Sequence, residues 1–527
     1  MARAAELSYN TNASAIQMAN TIFGDGVDVV SASYTGDSRS AAIYSNGDSL
    51  SSEATPSDTG VILSTGRADG FTNSSSWYSS DPNRSSSTST DTKGVDNNAD
   101  FNAAVGSNTY DAAWLDVDFI PTGDVMTVSF TFASEEYPEY AGSIYNDMFV
   151  VWVNGQPVDL SIGNGDSSIT NVSSINNENL YVSNTNDDYN TEMDGFTITM
   201  SLTFPVNSGA LNSLRLGIAD VTDSNYDSAV LIAADSIQTV LIAEDDAVAM
   251  FPDQTRTFDV LANDLNNTTG TLTITAINGV PVNAGDSVTL QSGETVTLNA
   301  DGTLTFVADS DIDTASLTYE ITSSSGETDV GFITIGTVPC FVSGTMIATV
   351  DGMRPVETLK IGDLILTEDD GPQPLRWIGM RKVVAEGCFA PIAIEANSLG
   401  DHGALRLSPQ HRVLVRDPAA EILFGNAEVL IAAKDLVNGA SIRVVEGGHV
   451  TYVHILFDRH QVVRAEGLAT ESFLPGPHVM NTMEEAVQAE ILAIFPELAA
   501  SPESYPAARP MLRGYEAQLL KSEAKAA

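Results

Sequence analysis

The chain of 527 residues is 43% hydrophobic and carries a formal net charge of −47 at pH 7. A chain of this length predicts roughly three or four domains, and its apolar content is sufficient for ordinary hydrophobic cores. The strong negative charge disfavours nucleic acids and anionic membranes as partners, and no apolar run is long enough to predict a membrane-spanning helix.

The negative charge is concentrated in the first two thirds of the chain. Residues 1–339 contain most of the acidic residues and few of the lysines and arginines. Such a sequence suits an extracellular medium that contains calcium or salt, and a merely soluble, salt-tolerant surface would have the same composition. The N-terminus has no continuous apolar segment, so we expect a secreted or cell-surface protein that is exported without a Sec signal peptide.

Residues 1–242 predict a large acidic β domain. Apolar and polar residues alternate in AWLDVDFIP, MTVSFTFAS, MFVVWVNG and FTITMSLTFPV, and alternation with a period of two is typical of half-buried strands. The segments GVILSTG, LDVDFIP and YNDMFVVWVNG, together with a Ser-Glu-Glu-Tyr loop, resemble the choice-of-anchor L domain of bacterial surface proteins. The resemblance implies a secreted or surface-displayed protein.

An acidic loop lies between two of these predicted strands, in FASEEYPEYAGSIYNDMFVVWVNG. It contains Glu135, Glu136, Glu139 and Asp147. Clustered carboxylates suit Ca²⁺, which takes about six to eight oxygen ligands, so these four residues are candidate calcium ligands. Glu135 and Glu136 could instead be the paired carboxylates of a carbohydrate-acting enzyme. A solvated acidic loop that binds nothing would have the same sequence.

Residues 243–336 predict a small β-sandwich. Short alternating segments such as LTITAING are separated by Asn-Gly, Ser-Gly and Asp-Gly turns, a spacing that is typical of sandwiches. The segments FDVLANDLN and LNADGTLTFVAD resemble the cadherin-like and Ig-like repeats of bacterial adhesins. The resemblance implies a rigid spacer, in some members with calcium at its ends.

Residues 337–478 differ from the preceding sequence because lysine and arginine return and short apolar strands alternate with Gly-Asp and Asp-Gly turns. Residues 479–527 predict a helical tail. Its first helix, NTMEEAVQAEILAIF, begins with Asn481 and Glu484 at capping-box positions, and MLRGYEAQLLKSEAKAA predicts a second helix. The whole chain is therefore expected to be mostly β and multidomain, with short helices at the C-terminus of the last domain and a helix in ASAIQMANTIFG near the N-terminus.

The chain has two cysteines, Cys340 and Cys388. Cys340 follows Pro339 at the point where the composition changes. A thiol is a nucleophile when a base lies nearby, and the turn in LSPQHRVLV could direct Ser408 and His411 at one peptide group. Attack of the thiol on the carbonyl of Pro339 would convert the peptide bond into a thioester. A Cys340–Cys388 disulfide is the alternative.

Three separated blocks of this region resemble a bacterial Hint domain, the Hedgehog/intein self-processing module. They are PCFVSGTMIATVDGMRPVETLKIGDLILTEDDGPQPLRWIG, LRLSPQHRVLV and YVHILFDRHQVVRAEGLATESFLPG. The resemblance implies an all-β, horseshoe-like fold, with Cys340 as the nucleophile. By position, His411 matches the histidine of the Thr-x-x-His block, and Ser408 replaces the threonine. His460 matches the late-block histidine, and Asp458 is a candidate acid or base.

Two residues depart from the intein pattern. Inteins end in His-Asn and the asparagine cyclises, whereas Glu471 and Ser472 occupy these places here. We therefore expect cleavage between Pro339 and Cys340 without splicing and without a required cofactor. Water, or a thiol or amine on a surface acceptor, would release the thioester. This would be single-turnover autoproteolysis by a cysteine nucleophile rather than the action of a turnover enzyme.

Alternatives remain for the histidines and for the domain as a whole. His411 and His460 could be core histidines that the backbone satisfies. The other histidines have no predicted role: His402, His449, His454 and His478. A Hint-like domain can keep its fold without activity, so the alternative function is a calcium-dependent adhesin with a cell-surface or matrix ligand and a structural Hint-like domain.

Overall fold

The computed structural model describes residues 5–73, 83, 88–141, 143–158, 160, 167–174, 176–249, 255–308, 315–336, 340–385, 390–424, 426–474 and 507–512. The chain divides into two compact units. The first consists of residues within 1–246, 256–306 and 315–334, and the second consists chiefly of residues after 334. Strands dominate both units, which confirms the predicted mostly β, multidomain fold. None of the helices in the described ranges has the length and apolar character needed to span a membrane.

The first part of unit one is built from two sheets. Its strands are β1 (Ser8–Asn10), β2 (Val27–Thr35), β3 (Ala41–Ser45), β4 (Thr59–Ser64), β5 (Thr109–Pro121), β6 (Val125–Ser134), β7 (Met148–Val153), β8 (Gln156–Val158), β9 (Ser167–Ser168), β10 (Tyr181–Ser183), β11 (Gly195–Thr197), β12 (Met200–Pro205), β13 (Asn212–Val221), β14 (Ser228–Ala233) and β15 (Leu241–Ile242). The strand order is β1-β3-β4-β14-β6-β11-β10 in one sheet, with β12 also on β6, and β2-β5-β13-β7-β8 in the other, with β9 on β7. The helices are α1 (Ala15–Ile22), α2 (Gly47–Leu50) and α3 (Ala99–Val105).

The two sheets share one hydrophobic core. Alternate residues of β6, namely Val128, Phe130 and Phe132, are buried there with Leu115 and Val117 of β5. Because every second side chain of a strand points to the same face, the alternating sequence of these segments places their apolar residues in the core.

Two loops meet at one end of this sandwich. One connects β6 to β7 and carries the predicted acidic residues, and the other connects β13 to β14. Ser134 at the end of β6 pairs with Ser228 at the start of β14, and Met148 at the start of β7 pairs with Ala219 near the end of β13. The two loops therefore begin and end beside each other.

Residues 246–336, most of which belong to unit one, form a small sandwich. Its strands are β16 (Asp246–Ala249), β17 (Thr255–Phe258), β18 (Leu265–Asn266), β19 (Leu272–Ile277), β20 (Val280–Pro281), β21 (Ser287–Thr289), β22 (Thr295–Leu298), β23 (Leu304–Val307), β24 (Ala315–Ser323) and β25 (Thr328–Gly336). In one sheet β24 lies between β25 and β19, and the other sheet has the order β17-β23-β22-β21. β18 pairs instead with β15 of the preceding segment in a separate two-stranded sheet.

A buried carboxyl group links this sandwich to the first domain. Asp329 of β25 accepts hydrogen bonds from Thr127 Oγ1 at 3.0 Å and from the backbone N–H of Ala243 at 2.8 Å. Contacts of this kind explain why residues on both sides of the predicted boundary at residue 242 belong to one compact unit.

The second unit also consists of two main sheets. Its strands from residue 340 onward are β26 (Phe341–Val342), β27 (Met346–Thr349), β28 (Gly352–Pro355), β29 (Leu364–Thr367), β30 (Gly371–Pro374), β31 (Trp377–Val384), β32 (Ile392–Ile394), β33 (Leu405–Leu407), β34 (Arg412–Arg416), β35 (Glu428–Ala432), β36 (Ile442–Val444), β37 (His449–Leu456), β38 (Val462–Ala465), β39 (Leu468–Glu471) and β40 (Met511–Leu512). Helix α4 (Pro418–Phe424) lies between β34 and β35 in the sequence. The sheet orders are β31-β37-β26-β33-β32-β36 and β28-β27-β29-β38-β39-β34-β35-β40, with β30 on β29.

The start of the second predicted tail helix is a strand. Met511 and Leu512 form β40, which pairs in parallel with β35, and Leu512 is 6% exposed. An apolar side chain buried at a sheet edge stabilises this conformation more than the helical propensity of the segment does. The first predicted helix, with Asn481 and Glu484, and the rest of the tail lie outside the described residues.

Candidate active site

Cys340 lies immediately before β26, inside a sheet. The next residue, Phe341, pairs with β33 on one side and with β37 on the other. This pairing brings Ser408, which follows β33, and His454 of β37 next to Cys340. The cysteine is buried, with 6% of its surface exposed.

Two reciprocal hydrogen bonds hold Cys340 against Ser408. The backbone N–H of Cys340 donates to Ser408 Oγ at 2.7 Å, and the backbone N–H of Ser408 donates to the Cys340 carbonyl oxygen at 3.0 Å. The nitrogen that would leave during an acyl shift is therefore fixed, with a hydroxyl group beside it. Because a hydroxyl group can both accept and donate, this contact can persist when the nitrogen gains a proton.

His454 is the side chain beside the thiol. Its Nε2 atom lies 3.3 Å from Cys340 Sγ. Burial raises the pKa of the Cys340 thiol above its usual range, and the hydrogen bond with Ser408 opposes this shift only in part. The thiol is therefore protonated at neutral pH, and the His454 imidazole is placed to accept its proton.

His411 lies in the turn that follows Ser408. Its backbone N–H donates to the Ser408 carbonyl oxygen at 3.1 Å, and its ring packs against Phe341 with the ring centres 4.3 Å apart. Neither ring nitrogen has the geometry of a full hydrogen bond to a described residue, although the Cys340 backbone lies close enough to favour the protonated ring. Burial lowers the His411 pKa to about 4, although the Glu471 carboxylate opposes this shift. The imidazole is therefore neutral at pH 7 and can accept a proton.

Glu471 is a fully buried anion. Its Oε1 accepts a hydrogen bond from the backbone N–H of Arg412 at 2.8 Å. Its Oε2 lies 3.4 Å from the Arg412 guanidinium and 3.4 Å from His460 Nε2. Burial acts to raise its pKa, but Arg412, His460 and His411 together hold the pKa of Glu471 below its usual range. The carboxylate is therefore ionised and adds a fixed negative charge to the surroundings of His411.

His460 contacts the C-terminal segment rather than the thiol. Its Nδ1 accepts a hydrogen bond from the backbone N–H of Ala508 at 2.9 Å, which places the ring proton on Nε2. Nε2 lies 3.2 Å from the Ser472 carbonyl oxygen. The structure thus brings Cys340 together with Ser408 and His454, and connects His460 to Glu471 and residues 507–512.

The other predicted residues of this site are Asp458, Pro339 and Cys388. Asp458 forms an ion pair with Arg376 at 2.6 Å, and its side chain is 52% exposed. It belongs to a solvated surface pair, apart from the buried group around Cys340. Pro339, the predicted acyl donor, and Cys388, the alternative disulfide partner, lie outside the described residues.

Sequence reasoning missed His454, which it interpreted as an ordinary residue. His454 occupies the middle of β37, between the buried residues Val453 and Ile455. The nearest sequence signal is a lone histidine within the apolar strand of YVHILFDRHQVV. Period-two alternation assigns that histidine to one face of a strand, but it does not identify the neighbouring strand. Only the pairing of β26 with β37 places it at the thiol.

The predicted calcium ligands of the first domain separate into buried and exposed residues. Glu135, Glu136 and Asp147 are at most 2% exposed, whereas Glu139 is exposed. Both carboxylate oxygens of Asp147 accept hydrogen bonds from the protein, at 2.9 and 2.7 Å. Within the described ranges, no group of three or more acidic, histidine or cysteine side chains has the arrangement of a metal site.

Burial dominates the electrostatics of this acidic loop. It raises the pKa of Glu135 to about 9 and, together with the Asp147 charge, raises the pKa of Glu136 to about 10. Burial also raises the pKa of Asp147 to about 7, although hydrogen bonds from Ser228 and Val221 oppose that shift. Glu135 and Glu136 are therefore protonated at neutral pH unless a cation lies beside them, whereas Asp147 is partly ionised.

Three parts of the chain match models of protein families. Residues 7–238 match the choice-of-anchor L domain, residues 238–336 match a bacterial Ig domain, and residues 339–477 match a Hint domain. These matches confirm the three resemblances found in the sequence. No protein with a curated description matches the chain.

Several solved structures are similar to parts of the chain. The match with the MchDnaB-1 intein spans 25% of this chain and 98% of the intein chain, with 11% sequence identity and a TM-score of 0.18. The match with the gp41-1 intein spans 25% of this chain and 97% of the intein chain, with 13% sequence identity and a TM-score of 0.17. The match with extracellular domains 3–5 of Drosophila OTK spans 66% of this chain and 91% of the OTK chain, with 11% sequence identity and a TM-score of 0.15.

Proposed function

We propose that the domain beginning at Cys340 cleaves the Pro339–Cys340 bond through an acyl shift from nitrogen to sulfur. One observation carries the proposal: a base and a hydroxyl group converge on the two reacting atoms of Cys340. His454 Nε2 lies 3.3 Å from the sulfur, and Ser408 Oγ lies 2.7 Å from the nitrogen. An acyl shift needs a proton acceptor at the nucleophile and a proton supply at the leaving nitrogen.

The first step converts the peptide bond into a thioester. Cys340 Sγ attacks the carbonyl carbon of Pro339, and His454 accepts the thiol proton. When the carbon–nitrogen bond breaks, that proton returns from the imidazole to the Cys340 nitrogen, which lies beside the Ser408 hydroxyl group. The products are a thioester on Sγ and an amine on Cys340, so no atom is gained or lost. The neutral His411 imidazole is available to assist the same proton transfer.

The second step releases the thioester. Water would give a free carboxyl group on Pro339, and a thiol or an amine on another molecule would give a new thioester or an amide. Ser472 stands in the place of the intein asparagine, and neither it nor Glu471 can form the succinimide that asparagine forms in splicing. The Glu471 carboxylate is already paired with Arg412 and His460. These features support cleavage without splicing.

The cellular setting is a further part of the proposal. The match of residues 7–238 to a choice-of-anchor L domain supports a secreted or cell-surface protein. At a surface, transfer of the thioester to an amine would attach the acidic N-terminal part covalently to the acceptor. The acceptor is defined here by its chemistry alone, as a nucleophilic amine or thiol.

Intact-mass analysis of the full chain tests the proposal. We expect incubation with dithiothreitol to yield fragments that divide between Pro339 and Cys340. Cys340→Ala should abolish these fragments, and Cys388→Ala is the matched control that should retain them. A wild-type chain that stays uncut under thiol at several pH values would contradict the proposal and would favour a structural, inactive domain.

A further inference from the structure

A cleft in the first domain lies where the β6–β7 loop meets the β13–β14 loop. Its volume is about 390 Å³. The β6–β7 loop contributes Glu136, Tyr140 and Tyr145, and the β13–β14 loop contributes Asp223 and Tyr226. None of the residues that line the cleft belongs to the Cys340 site, and the proposed self-processing reaction does not use them.

Three half-buried tyrosines form the aromatic part of the cleft. The rings of Tyr140 and Tyr145 are nearly perpendicular, at 84°, with their centres 5.6 Å apart. The rings of Tyr140 and Tyr226 are inclined by 38°, with their centres 5.7 Å apart. The faces of aromatic rings carry a negative quadrupole and attract cations, and rings in different orientations present such faces from more than one side.

Hydrogen bonds fix both loops around these rings. The backbone N–H of Tyr140 donates to the Glu136 carbonyl oxygen at 3.0 Å, and the N–H of Tyr145 donates to Ser143 Oγ at 3.0 Å. In the other loop, the N–H of Tyr226 donates to Ser89 Oγ at 3.2 Å. The aromatic residues are therefore positioned before any ligand binds, which reduces the ordering cost of binding.

An acceptor without a partner lies in the same cleft. Glu136 is 2% exposed, and its Oε2 atom has no hydrogen-bond partner among the residues described. Buried polar atoms are normally satisfied, so an orphaned carboxyl oxygen that lines a cavity indicates that a ligand donor is missing. The carboxyl group of Asp223 is a second acidic group in the lining.

The charge of the lining favours a cation. The described residues that line the cleft include no lysine, arginine or histidine. Asp147, whose charge acts directly on Glu136, adds to the acidic character behind the wall. A neutral sugar could stack on the tyrosines, but it would leave the acidic groups without an opposite charge.

The class of cation follows from the same contacts. A bare metal ion would need several oxygen ligands around one point, and the described residues show no such group. A quaternary ammonium ion satisfies aromatic rings but has no N–H group for Glu136. A primary ammonium group supplies both the positive charge and three donors.

We propose that this cleft binds a primary alkylammonium group, either on a free amine or at the end of a lysine side chain. The alkyl stem contacts the tyrosine rings, and the ammonium group donates to Glu136 Oε2. The volume of the cleft leaves room for part of the molecule that carries the amine.

Titration calorimetry on the full chain tests this inference, with the Cys340→Ala substitution included to keep the chain uncut. The probes are n-butylammonium chloride, the peptide acetyl-lysine-amide, tetramethylammonium chloride, glucose and calcium chloride, at one ionic strength. We expect butylammonium to bind at one site, about tenfold more tightly than tetramethylammonium. Binding of the lysine peptide would identify protein side chains as a source of the amine, and binding of butylammonium alone would restrict the site to free amines.

Matched variants separate the cleft from the general acidity of the domain. Glu136→Gln should weaken butylammonium binding by about tenfold or more, because glutamine keeps the shape but cannot become the carboxylate that forms when an ammonium group lies beside Glu136. Glu139→Gln, an exposed carboxylate three residues away, should leave the affinity within about twofold of its original value. Tyr140→Ala should weaken binding, and Tyr140→Phe should retain it because the ring remains.

Three results would overturn the inference. The first is the absence of butylammonium binding to a chain whose thermal unfolding is unchanged. The second is equal loss of affinity in Glu136→Gln and Glu139→Gln, which would show only diffuse attraction. The third is displacement of bound butylammonium by calcium or glucose at concentrations lower than those at which butylammonium itself binds. Should Glu136→Gln fail to fold, Asp223→Asn at the half-buried wall position replaces it, with the same expected weakening.

Discussion

The assignment of His454 as the base at the thiol leads to a quantitative prediction. The perturbation is His454→Gln, which keeps a polar side chain of similar length in β37 but removes the basic nitrogen 3.3 Å from Cys340 Sγ. Glutamine can still contact the sulfur, so the surrounding packing is largely preserved. The variant therefore isolates the proton-accepting function from the contact itself.

The size of the effect follows from the state of the thiol. A cysteine with an ordinary pKa is only about 3% thiolate at pH 7, and each further unit of pKa lowers that fraction about tenfold. Burial raises the pKa of Cys340, so direct ionisation supplies very little nucleophile. A positioned general base contributes about 10²–10⁴-fold to such a step, equivalent to about 3–5 kcal/mol of activation free energy. We expect His454→Gln to slow thioester formation by about 100-fold or more.

The assay follows the loss of intact chain by mass spectrometry after addition of dithiothreitol. His449→Gln is the matched control, because His449 lies on the same strand and is exposed. Thermal unfolding of each variant establishes that the fold is retained. Cleavage of His454→Gln within about twofold of the wild-type rate, with Cys340→Ala uncut in parallel, would refute the role of His454.

Three further predictions concern individual buried contacts. Ser408→Ala removes the acceptor of the Cys340 N–H and should slow cleavage about tenfold, whereas Ser408→Thr should restore most of the rate in the same mass assay. Glu471→Gln breaks a buried ion pair with Arg412 and should lower the free energy of unfolding by about 3 kcal/mol or more in urea at pH 7. Because the pKa of Glu471 in the folded state is depressed, the difference in unfolding free energy between the wild type and Glu471→Gln should shrink as the pH falls through that pKa. A difference that stays constant with pH would contradict an ionised Glu471. Burial raises the pKa of Asp329 to about 8, so the stability of the wild type should fall as the pH rises from about 4 to 8. Asp329→Asn should flatten that fall when the thermal unfolding temperature is measured against pH. Parallel curves for the two proteins would contradict the role of Asp329.

Much of the fold could be predicted because its signal is local. Period-two alternation in MTVSFTFAS corresponds to β6, whose Val128 and Phe130 are in the core. The short spacing between Ser408 and His411 places both in one turn, so their proximity needed no knowledge of the tertiary fold. The same reasoning failed at Met511, where helical propensity is outweighed by an edge pairing with β35.

Long-range pairing decides what the sequence could not show. His454 reaches the thiol only because β26 inserts between β33 and β37. Glu136 and Glu139 look alike in the sequence, yet one is buried and the other exposed, because the loop folds back against the β13–β14 loop. The tyrosine cleft likewise combines Tyr140 with Tyr226, and no spacing rule connects residues on two separate loops.

Burial of the reacting groups determines how the proposed reaction starts. Burial keeps the Cys340 thiol protonated and keeps the His411 imidazole neutral, so these two groups begin uncharged. Transfer of the thiol proton to His454 creates both charges inside the protein. The Glu471 anion favours the charged form of the second imidazole, that of His411. The nucleophile therefore forms by internal proton transfer rather than by loss of a proton to solvent. A site of this kind should form its thioester at a rate that changes little between pH 7 and 8, whereas a solvent-exposed thiol should react about tenfold faster over that interval.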